Sequence, residues 1–470
     1  MKPGSSTLGA VPKFGWSFGQ FALASHMAII SIYLMYYLTE GHGVSAGLAG
    51  LVLLLPRVWN VVTDPLMGAI SDRTRSRWGR RRPYLLIGAL VWGAAFAAMF
   101  ALPANDDPAV TAMWFVAIYL VVNTGVTLYH VPYSAMAPEM TRDYDERLKL
   151  IGYKEMAARI AVLLAIAGAP LLLEAARTPA QGYRWIGLVF GGLIVVSGVV
   201  AFLATARAPA VDFQPQTMSL REQWETLRRN RPLGVLSLAY LFGNMASVAF
   251  SALLIYFITV VHGQSPALMG VLYPVGALTS VVLTPVWARI GARIGKREAC
   301  RIAYLGLILC WLSPGLVPPG AVWALYLLMF AHGAFNAAAE LLPNAMVPDT
   351  VEYDELNSGA RREGTIYGAW IFVQQTGMAL GGFVASLALV LLGYQAGVDR
   401  HPDSVVAGLR WGFAAVPAAA LLVAWWLVGR YDLSARRFAE IQQALAARRA
   451  DPAGPAATAA THPASEDPAR

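Results

Sequence analysis

A carboxylate inside a long apolar run is the first feature of this sequence that could do chemistry. The residue is Asp64, with Thr63 beside it and Asn60 four residues earlier. An ionised carboxylate is costly in hydrocarbon, so such a group marks a functional site or has a cationic partner. These oxygen-bearing side chains could bind a proton or a small cation. The alternative is that Asp64 is a structural partner of Arg57 or Arg159.

Two more ionisable side chains lie inside apolar runs, His130 and Glu340. A histidine titrates near neutral pH, so His130 could carry a proton or hydrogen-bond a polar ligand. Burying an unpaired carboxylate such as Glu340 is costlier still, which favours a functional role there. The alternative is that either side chain is a satisfied packing group.

A charged segment follows Asp64 and could act as a gate. Gly68 precedes the pair Asp72 and Arg73, and further arginines continue as far as Arg82. Gly68 permits a close helix contact, and Asp72 with Arg73 could form a charge relay that locks one conformation. The alternative for the last arginines of this segment is that they serve only to orient the chain in a membrane.

The composition of the whole chain requires a bilayer as its solvent. Apolar residues make up 57% of the 470 residues and charged residues only 14%, unlike a soluble protein. Apolar runs of about 20 residues recur, which matches the roughly 30 Å that a helix must cross. We therefore predict an all-α membrane protein of twelve transmembrane helices, at 14–39, 46–71, 84–103, 110–133, 150–173, 184–205, 233–261, 268–290, 301–316, 321–345, 364–391 and 407–429.

The distribution of Lys and Arg predicts the orientation of these helices, because both residues favour the cytoplasmic side of short loops. With both termini inside, 30 of the 36 Lys and Arg residues fall on the inside. The first apolar run is too long for a cleaved signal peptide and is expected to stay in a cell inner membrane. The net charge of +8 then reflects loops that face an anionic leaflet, and nucleic-acid binding is not expected.

An internal repeat predicts two halves of six helices. Residues 135–139 (AMAPE) end the fourth run and residues 345–349 (AMVPD) end the tenth, an offset of 210. At this offset His130 corresponds to Glu340, so both are expected near a central cavity. We predict an N-terminal bundle over 1–205, a cytoplasmic connector over 206–232, a C-terminal bundle over 233–430, and a largely disordered cytoplasmic tail over 431–470.

Taken together, these motifs resemble the glycoside–pentoside–hexuronide:cation symporters, the melibiose-permease branch of the major facilitator superfamily. Residues 59–83 resemble the family signature, and residues 33–37 resemble the end of its first helix. Residues 348–364 resemble the loop between its tenth and eleventh helices, and residues 377–394 fit its eleventh helix. The resemblance implies the major facilitator fold and a secondary transporter.

The resemblance also implies a site for a coupling cation. In melibiose-type members, the aspartate that matches Asp64 and the threonine that matches Thr127 help to bind that cation. A second aspartate of the site is replaced by Asn60, and His130 stands where those members carry a sugar-contacting aspartate. The loss of one carboxylate and the gain of a titratable histidine favour H⁺ over Na⁺ as the coupling ion. No other cofactor and no metal site is expected.

The chain departs from the galactoside-binding residues of the melibiose branch. Ala24, Ser134 and Gln375 stand near the positions of a helix-one aspartate, a helix-four tryptophan and a helix-eleven lysine. Lys154 matches a basic position common in the family, and Arg159 lies about a turn further on, so either could face an anionic substrate. Other candidates to line a cavity are Tyr33, Tyr36, Tyr240, Tyr256, Trp370, Gln374 and Gln375.

Three functions remain open, and none is enzymatic, since nucleotide-binding, hydrolase and metalloprotease motifs are absent. The first is cation-coupled symport of a sugar, glycoside or related polar solute by alternating access. The second is transport of an amphiphile such as a lysophospholipid. The third is a non-transporting receptor or scaffold, which the retained Asp64, Thr127 and Asp72 disfavour. The expected partners are the lipid bilayer and a small-molecule substrate, and the protein is expected to be monomeric.

Overall fold

The computed structural model describes residues 8–450 except 104, 106, 142–143, 209–228, 319, 360–361, 399 and 434, and this part of the chain contains no strand. Its long helices confirm the all-α, twelve-helix prediction. They are α1 Ala10–Leu34, α2 Ala46–Arg73, α3 Arg82–Met99, α4 Pro108–Met140, α5 Tyr144–Ala175, α6 Pro179–Ala204, α7 Arg231–Tyr256, α8 Met269–Ile294, α9 Lys296–Leu312, α10 Val322–Ser358, α11 Glu363–Leu391 and α12 Asp403–Val428.

Eleven of these helices are long and apolar enough to cross a membrane, counted over the described residues. The exception is α9, whose 17 residues span about 25 Å, near the lower limit for a bilayer. α9 packs against α10 and α12 as a full member of the bundle, and its two cysteines, Cys300 and Cys310, are buried and free. Large apolar side chains such as Leu171 and Leu391 remain exposed on the outside, where lipid can cover them.

Helix starts follow from capping side chains and prolines. Thr178 Oγ1 accepts a hydrogen bond from the backbone N of Gln181 at 3.2 Å, and Asn230 Oδ1 accepts one from the backbone N of Leu233 at 3.0 Å. These caps satisfy N–H groups that have no partner within the first turn. Prolines occupy the first turn of α3, α4, α6 and α7, where their missing N–H costs nothing.

The tenth helix continues well past its predicted end at 345. Two buried carboxylates hold the extra turns: Asp349 accepts from Lys296 Nζ at 2.7 Å, and Asp354 accepts from Arg362 at 2.7 Å. Gly359 then ends the helix with a φ of 72°, a conformation that glycine adopts at little cost. The hydropathy window stops earlier because it registers only apolar residues.

The helices pack as two groups of six. In the first half α3 packs along α4 and α6, and in the second half α7 packs along α11 and α12 while α8 packs along α10. Glycines allow the closest approaches: a Cβ at Gly88 would lie 2.7 Å from the backbone N of Tyr129, and one at Gly377 would lie 2.5 Å from the carbonyl O of Leu241. Small residues at such crossings let helix backbones meet in a membrane.

Each half has an equivalent ion pair at the same end of the bundle. Glu139 in α4 pairs with Arg80, just before α3, at 2.9 Å, and Asp349 in α10 pairs with Lys296 in α9 at 2.7 Å. Glu139 and Asp349 are related by the offset of 210, so the repeat is structural. We call the end that carries these pairs the basic face, and the other end the opposite face.

The two halves meet between α2 and α11, between α5 and α8, and where α1 approaches α7. At the opposite face, residues 36–45 and 256–265 share the pattern Tyr-x-x-Thr-x-x-His-Gly-x-Ser at an offset of 220. Gly43 and Gly263 both take a φ of 63°, which L side chains rarely adopt. The two segments therefore form the same turn in each half.

Side chains of these two segments meet reciprocally across the halves. Thr39 Oγ1 lies 2.9 Å from Tyr256 Oη, and Thr259 lies beside the Tyr36 hydroxyl in the same way. The rings of Tyr36 and Tyr256 meet edge to face with centroids 5.5 Å apart. We call these four residues the Tyr–Thr closure.

Further hydrogen bonds strengthen the closed opposite face. Tyr394 Oη donates to Glu40 Oε1 in a short hydrogen bond, and the backbone N of Gly397 lies 3.4 Å from the same oxygen. Burial raises the pKa of Tyr394, so the phenol stays protonated and acts as the donor. Ser386 Oγ in α11 donates to the carbonyl O of Ala46 in α2, also in a short hydrogen bond.

The segment after α12 forms one more helix, α13 Ala435–Ala450, against α10. Its Ile441 and Leu445 are buried with Tyr431. Residues 451–470 and residues 209–228 of the connector lie outside the described residues. The tail is therefore helical over 435–450, and the predicted disorder of residues 451–470 and the predicted domain boundaries stay predictions.

Removing one hydroxyl from the Tyr–Thr closure is expected to loosen the opposite face. Thr39→Val deletes the partner of Tyr256 Oη with little change in volume, and a lost neutral hydrogen bond costs about 1 kcal/mol, which is roughly a fivefold change in an equilibrium. The reporter is Ser386→Cys, buried at the α2–α11 contact, in a chain without Cys300 and Cys310. The thiol of this reporter should react with a maleimide about fivefold faster in the purified Thr39→Val protein than in the protein that keeps Thr39.

Thr376→Val is the matched control, because the Thr376 hydroxyl bonds the carbonyl O of Phe372 in its own helix. This control should leave the labelling rate unchanged. Equal rates in Thr39→Val and Thr376→Val would contradict the role of the closure.

Candidate functional site

Asp64 belongs to a polar cluster between α2 and α4. Thr127 Oγ1 donates to Asp64 Oδ1 at 2.5 Å, and Thr63 Oγ1 lies 3.3 Å from Thr127 Oγ1. Thr127 is buried and Asp64 is half-buried. Two residues that lie far apart in the sequence are thus in direct contact through their side chains.

Asn60 extends this cluster by one turn of α2. Its Nδ2 donates to Asn123 Oδ1 at 3.2 Å, whereas its Oδ1 is buried and accepts no hydrogen bond from the described residues. A buried oxygen without a donor is costly, and it is available as a ligand. Among the residues that the structure describes, no group of three or more His, Cys, Asp or Glu side chains could hold a metal ion.

A cavity of about 560 Å³ lies between the two halves. Three charged side chains line it: Glu155 and Arg159 from α5, and Glu340 from α10. The positive charge of Arg159 interacts electrostatically with Glu340. Asn336 Nδ2 donates to Glu340 Oε1 at 3.2 Å. A cation from one half therefore faces a carboxylate from the other.

The wall that α7, α10 and α11 form combines an aromatic pair with amides. The rings of Tyr240 and Trp370 stack with centroids 4.1 Å apart and 7° between their planes. Gln374 Nε2 donates to Tyr240 Oη at 2.8 Å, and Trp370 Nε1 donates to Asn344 Oδ1 at 2.9 Å. Amides and a hydroxyl beside aromatic rings suit a polar ring-shaped solute, which can bond and stack at once.

The cavity lies toward the basic face, away from the Tyr–Thr closure. Glu155 and Tyr240 come from the first half of α5 and of α7, which both begin at the basic face. The contacts that join the halves around Ser386 and Tyr394 lie at the other end. The cavity is therefore sealed on the side of the opposite face.

Of the predicted cavity residues, Arg159, Tyr240, Glu340 and Gln374 come together here, while Lys154 and His130 do not line the cavity. Lys154 forms an ion pair with Glu155 at 3.4 Å and acts electrostatically on His130. Lys154 therefore acts on the cavity only through Glu155. Of the two arginines proposed as partners of Asp64, Arg159 lines the cavity, and the side chain of Arg57 lies outside what the structure describes.

Tyr33 and Gln375 also lie off the cavity lining. Tyr33 is fully buried, and its hydroxyl has no hydrogen-bond partner among the described residues. Gln375 follows Gln374 directly, and successive helical residues point about 100° apart. Only one of the two glutamines can therefore face the same space.

Asp72 forms its ion pair with Arg81, so the predicted relay between Asp72 and Arg73 does not form. Adjacent helical residues do not face each other, and Arg73 is exposed. Arg81 is buried, bonds Asp72 in a short contact, and also donates to Glu139 Oε1 at 3.1 Å. This Asp72–Arg81–Glu139 cluster ties α2, α3 and α4 at the basic face.

Gly68 does not lie at a tight helix crossing, contrary to the prediction. A Cβ at Gly68 would lie 3.9 Å from Val131 Cγ1, an ordinary contact distance. The close approaches of this half occur at other glycines instead, such as Gly125 against Trp92 at 2.7 Å.

Among the cavity residues that the sequence prediction missed, three take part in the polar contacts described above: Glu155, Asn336 and Asn344. A signal existed for two of them, because Asn336, Glu340 and Asn344 recur every four residues in α10. Polar residues at that spacing form one stripe along a helix, and a polar stripe in an apolar span indicates a cavity or a protein interface. No comparable pattern indicates Glu155.

Comparison with known proteins supplies a family match. The model of a family described as MFS/sugar transport protein matches residues 15–435. The chain is 29% identical to an Escherichia coli glucuronide carrier protein homolog, covering 91% of this chain and 93% of the relative. It is 26% identical to the Escherichia coli inner membrane symporter YicJ (91% and 92% covered). It is 28% identical to the Escherichia coli putative glycoside/cation symporter YagG (96% and 98% covered).

Among solved structures, the chain is similar to a bacterial homologue of the human lysosomal transporter Spinster, in an inward-facing and unoccupied conformation. The TM-score is 0.66 at 14% identity, with 92% of this chain and 97% of that chain covered. At this identity the similarity concerns the fold alone.

Arg81→Gln is expected to destabilise the protein, because it leaves two carboxylates facing each other without the cation between them. Removing one partner of a buried ion pair costs about 3 kcal/mol or more. Arg80 still pairs with Glu139, so the loss should be partial. Thermal unfolding of the purified protein measures it as a lower Tm.

Arg437→Gln is the matched control. Arg437 forms an exposed ion pair with Asp432 at 2.9 Å, and such pairs contribute about 0–1 kcal/mol. If the Tm of Arg81→Gln is as high as that of Arg437→Gln, the Asp72–Arg81–Glu139 cluster has no stabilising role.

Proposed function

The chain belongs to the MFS/sugar transport protein family of the major facilitator superfamily, and from this membership we propose that it couples a cation to the uptake of a polar solute. It is a multi-pass membrane transporter and not an enzyme. The proposed solute is a sugar, a glycoside or a related polar compound, moved by alternating access. The observation that carries the proposal is the central cavity, which is lined by both halves and sealed toward one face.

The proposed orientation places the basic face and both termini in the cytoplasm. The support is the excess of Lys and Arg at that face, since these residues favour the cytoplasmic side. In this orientation the cavity is closed to the outside by the Tyr–Thr closure, so the conformation is inward-facing. The proposed location is the cell inner membrane, where the name of one relative also places that relative.

The proposed coupling site is the cluster of Asp64, Thr63, Thr127 and Asn60. Its single carboxylate accepts a hydrogen bond from Thr127, and a bound H⁺ or Na⁺ would supply the charge that Asp64 needs. We favour H⁺ because Asn60 stands where a second carboxylate would help to bind a metal cation. Coupling requires that cation and substrate each favour the state that binds the other.

The proposed substrate is a polar ring-shaped solute rather than a galactoside. Tyr240, Asn344 and Gln374 offer hydroxyl and amide groups beside a stacked aromatic pair, which suits sugar hydroxyls and an apolar sugar face. Ala24, Ser134 and Gln375 replace the polar and aromatic residues with which the melibiose branch binds galactosides. Arg159 adds one positive charge to the cavity, one helical turn from Glu155 and opposite Glu340.

The two alternative functions differ in what they would accumulate. A carrier of an amphiphile would take up a lysophospholipid and not a sugar, whereas a scaffold would accumulate neither. Uptake of labelled sugars, uronides and lysophospholipids into vesicles therefore separates all three. The proposed unit is a monomer, because one chain contains both halves, the central cavity and the Asp64 cluster.

Asp64→Asn is expected to abolish uphill accumulation while downhill exchange persists. The substitution removes the charge that a cation would compensate but leaves the central cavity intact. The measurement is uptake into vesicles in sodium-free medium under an imposed pH gradient, with the wild type in parallel. Accumulation against a gradient by Asp64→Asn would exclude Asp64 as the coupling group.

Asp403→Asn is the matched control, since Asp403 is exposed at the start of α12 and should not affect coupling. Replacing the pH gradient with a sodium gradient identifies the ion. Accumulation by the wild type only under a sodium gradient would overturn the preference for H⁺ and leave the role of Asp64 standing.

Asp72→Asn is expected to slow the transport cycle more than it weakens substrate binding. Asp72 contacts Arg81 at the basic face and lines no part of the central cavity. The rate of transport and the equilibrium affinity for the substrate are measured separately. Asp432→Asn is the control, because it removes an exposed ion pair. A large loss of affinity at unchanged turnover would contradict a gating role.

A further inference from the structure

A second cavity opens from the central one between α5 and α8. Its volume is about 330 Å³. We call it the side arm. Four residues line both spaces: Glu155, Arg159, Asn336 and Glu340. Because the same charged side chains border both cavities, a ligand bound in the centre reaches the mouth of the side arm.

Beyond this mouth the side arm has mostly apolar walls. One wall comes from α5, and small residues of α8 and α10 leave the space open on the other side. The apolar lining residues are Ala158, Val162, Leu163, Ile166, Gly276, Ala277, Val281, Met329 and Gly333.

Three polar side chains lie deeper in the side arm: Tyr273, Ser280 and His332. Trp311 Nε1 donates to His332 Nδ1 at 3.1 Å, and the ring of Phe250 stacks on His332 with centroids 4.6 Å apart. The Tyr273 hydroxyl lies beside Ser251 of α7. A sugar hydroxyl placed here would lose its bonds to water and find few replacements. An apolar group would gain by leaving water.

The side arm is closed toward the opposite face. A Cβ at Gly270 in α8 would lie 2.9 Å from Pro170 Cγ in α5, so the two helices touch beyond the arm. A solute cannot pass this contact. The side arm can therefore hold part of a ligand but does not form a second pathway.

We propose that the side arm binds the apolar aglycone of a glycoside whose sugar occupies the central cavity. This inference rests on the proposed function and narrows its substrate class. The central cavity supplies the charged and amide groups for the sugar, and the arm supplies a dry surface for the attached group. A cavity of roughly 150 Å³ already accommodates a benzene ring, so the arm has room for a phenyl group.

The test compares methyl and phenyl β-glycosides of the same sugar on the full-length protein in lipid nanodiscs. The sugars are glucose, galactose, xylose and glucuronic acid, and the readouts are the dissociation constant and counterflow in proteoliposomes. For each sugar that binds, the phenyl glycoside should bind about tenfold more tightly than the methyl glycoside. Equal affinities of the two glycosides would overturn the inference.

A matched pair of variants locates the effect in the side arm. Val281 lines the arm, and the adjacent Val282 is 67% exposed and points elsewhere on α8. Val281→Phe should reduce the preference for the phenyl glycoside to less than about twofold and leave the methyl glycoside unaffected. Val282→Phe should keep the full preference. Ala277→Phe fills the same arm and serves if Val281→Phe does not fold.

The failures of the two proposals are distinguishable. A phenyl preference that persists in both arm-filling variants would overturn the side-arm assignment and leave glycoside transport intact. If no methyl or phenyl glycoside binds or exchanges, the proposed function itself is wrong. If a lysophospholipid displaces the phenyl glycoside and is itself exchanged, the arm holds an acyl chain and the aglycone assignment is overturned.

Discussion

The contacts that hold the two halves together at one face are the interaction on which the rest of the structure depends. Thr39 and Tyr256 meet at 2.9 Å, Tyr36 and Thr259 repeat the contact, and Tyr394 adds a bond to Glu40. With this face sealed, the cavity between the halves extends toward the basic face. Each neutral hydrogen bond contributes only about 1 kcal/mol. Together these bonds stabilise the closed face, whereas each single bond is weak enough to break when the halves reorient.

The first half carries two polar clusters on the same pair of helices. α2 and α4 are joined by Asp64 with Thr127 and again, through Arg81, by Asp72 with Glu139. A change of charge at Asp64 thus acts on two helices that are also tied at the basic face. The central cavity takes its charges from α5 and α10 instead. The proposed ion site and the proposed substrate cavity therefore lie on different helices, and coupling between them requires a shared conformational state.

Several features of this chain follow from its sequence with little need of a structure. Helices α1 to α12 follow the apolar windows, although α4, α5 and α10 extend beyond them into polar residues. The windows match because a backbone in hydrocarbon can hydrogen-bond only to itself. The pairing of Asp64 with Thr127 also agrees with the family resemblance. The repeat of residues 36–45 at 256–265 is also present in the sequence, but the sequence prediction missed it. Its identical residues are separated by dissimilar ones.

The sequence by itself determined the membrane environment, the number of helices, the two-half repeat and the family. These depend on local hydropathy and on residue order along the chain. Only the tertiary structure decided that Asp72 pairs with Arg81 and not with Arg73, that Arg159 faces Glu340, and that a side arm opens between α5 and α8. The physical reason is the rotation of each helix about its own axis. Neighbouring residues differ in direction by about 100°, and packing against other helices sets which of them face one another.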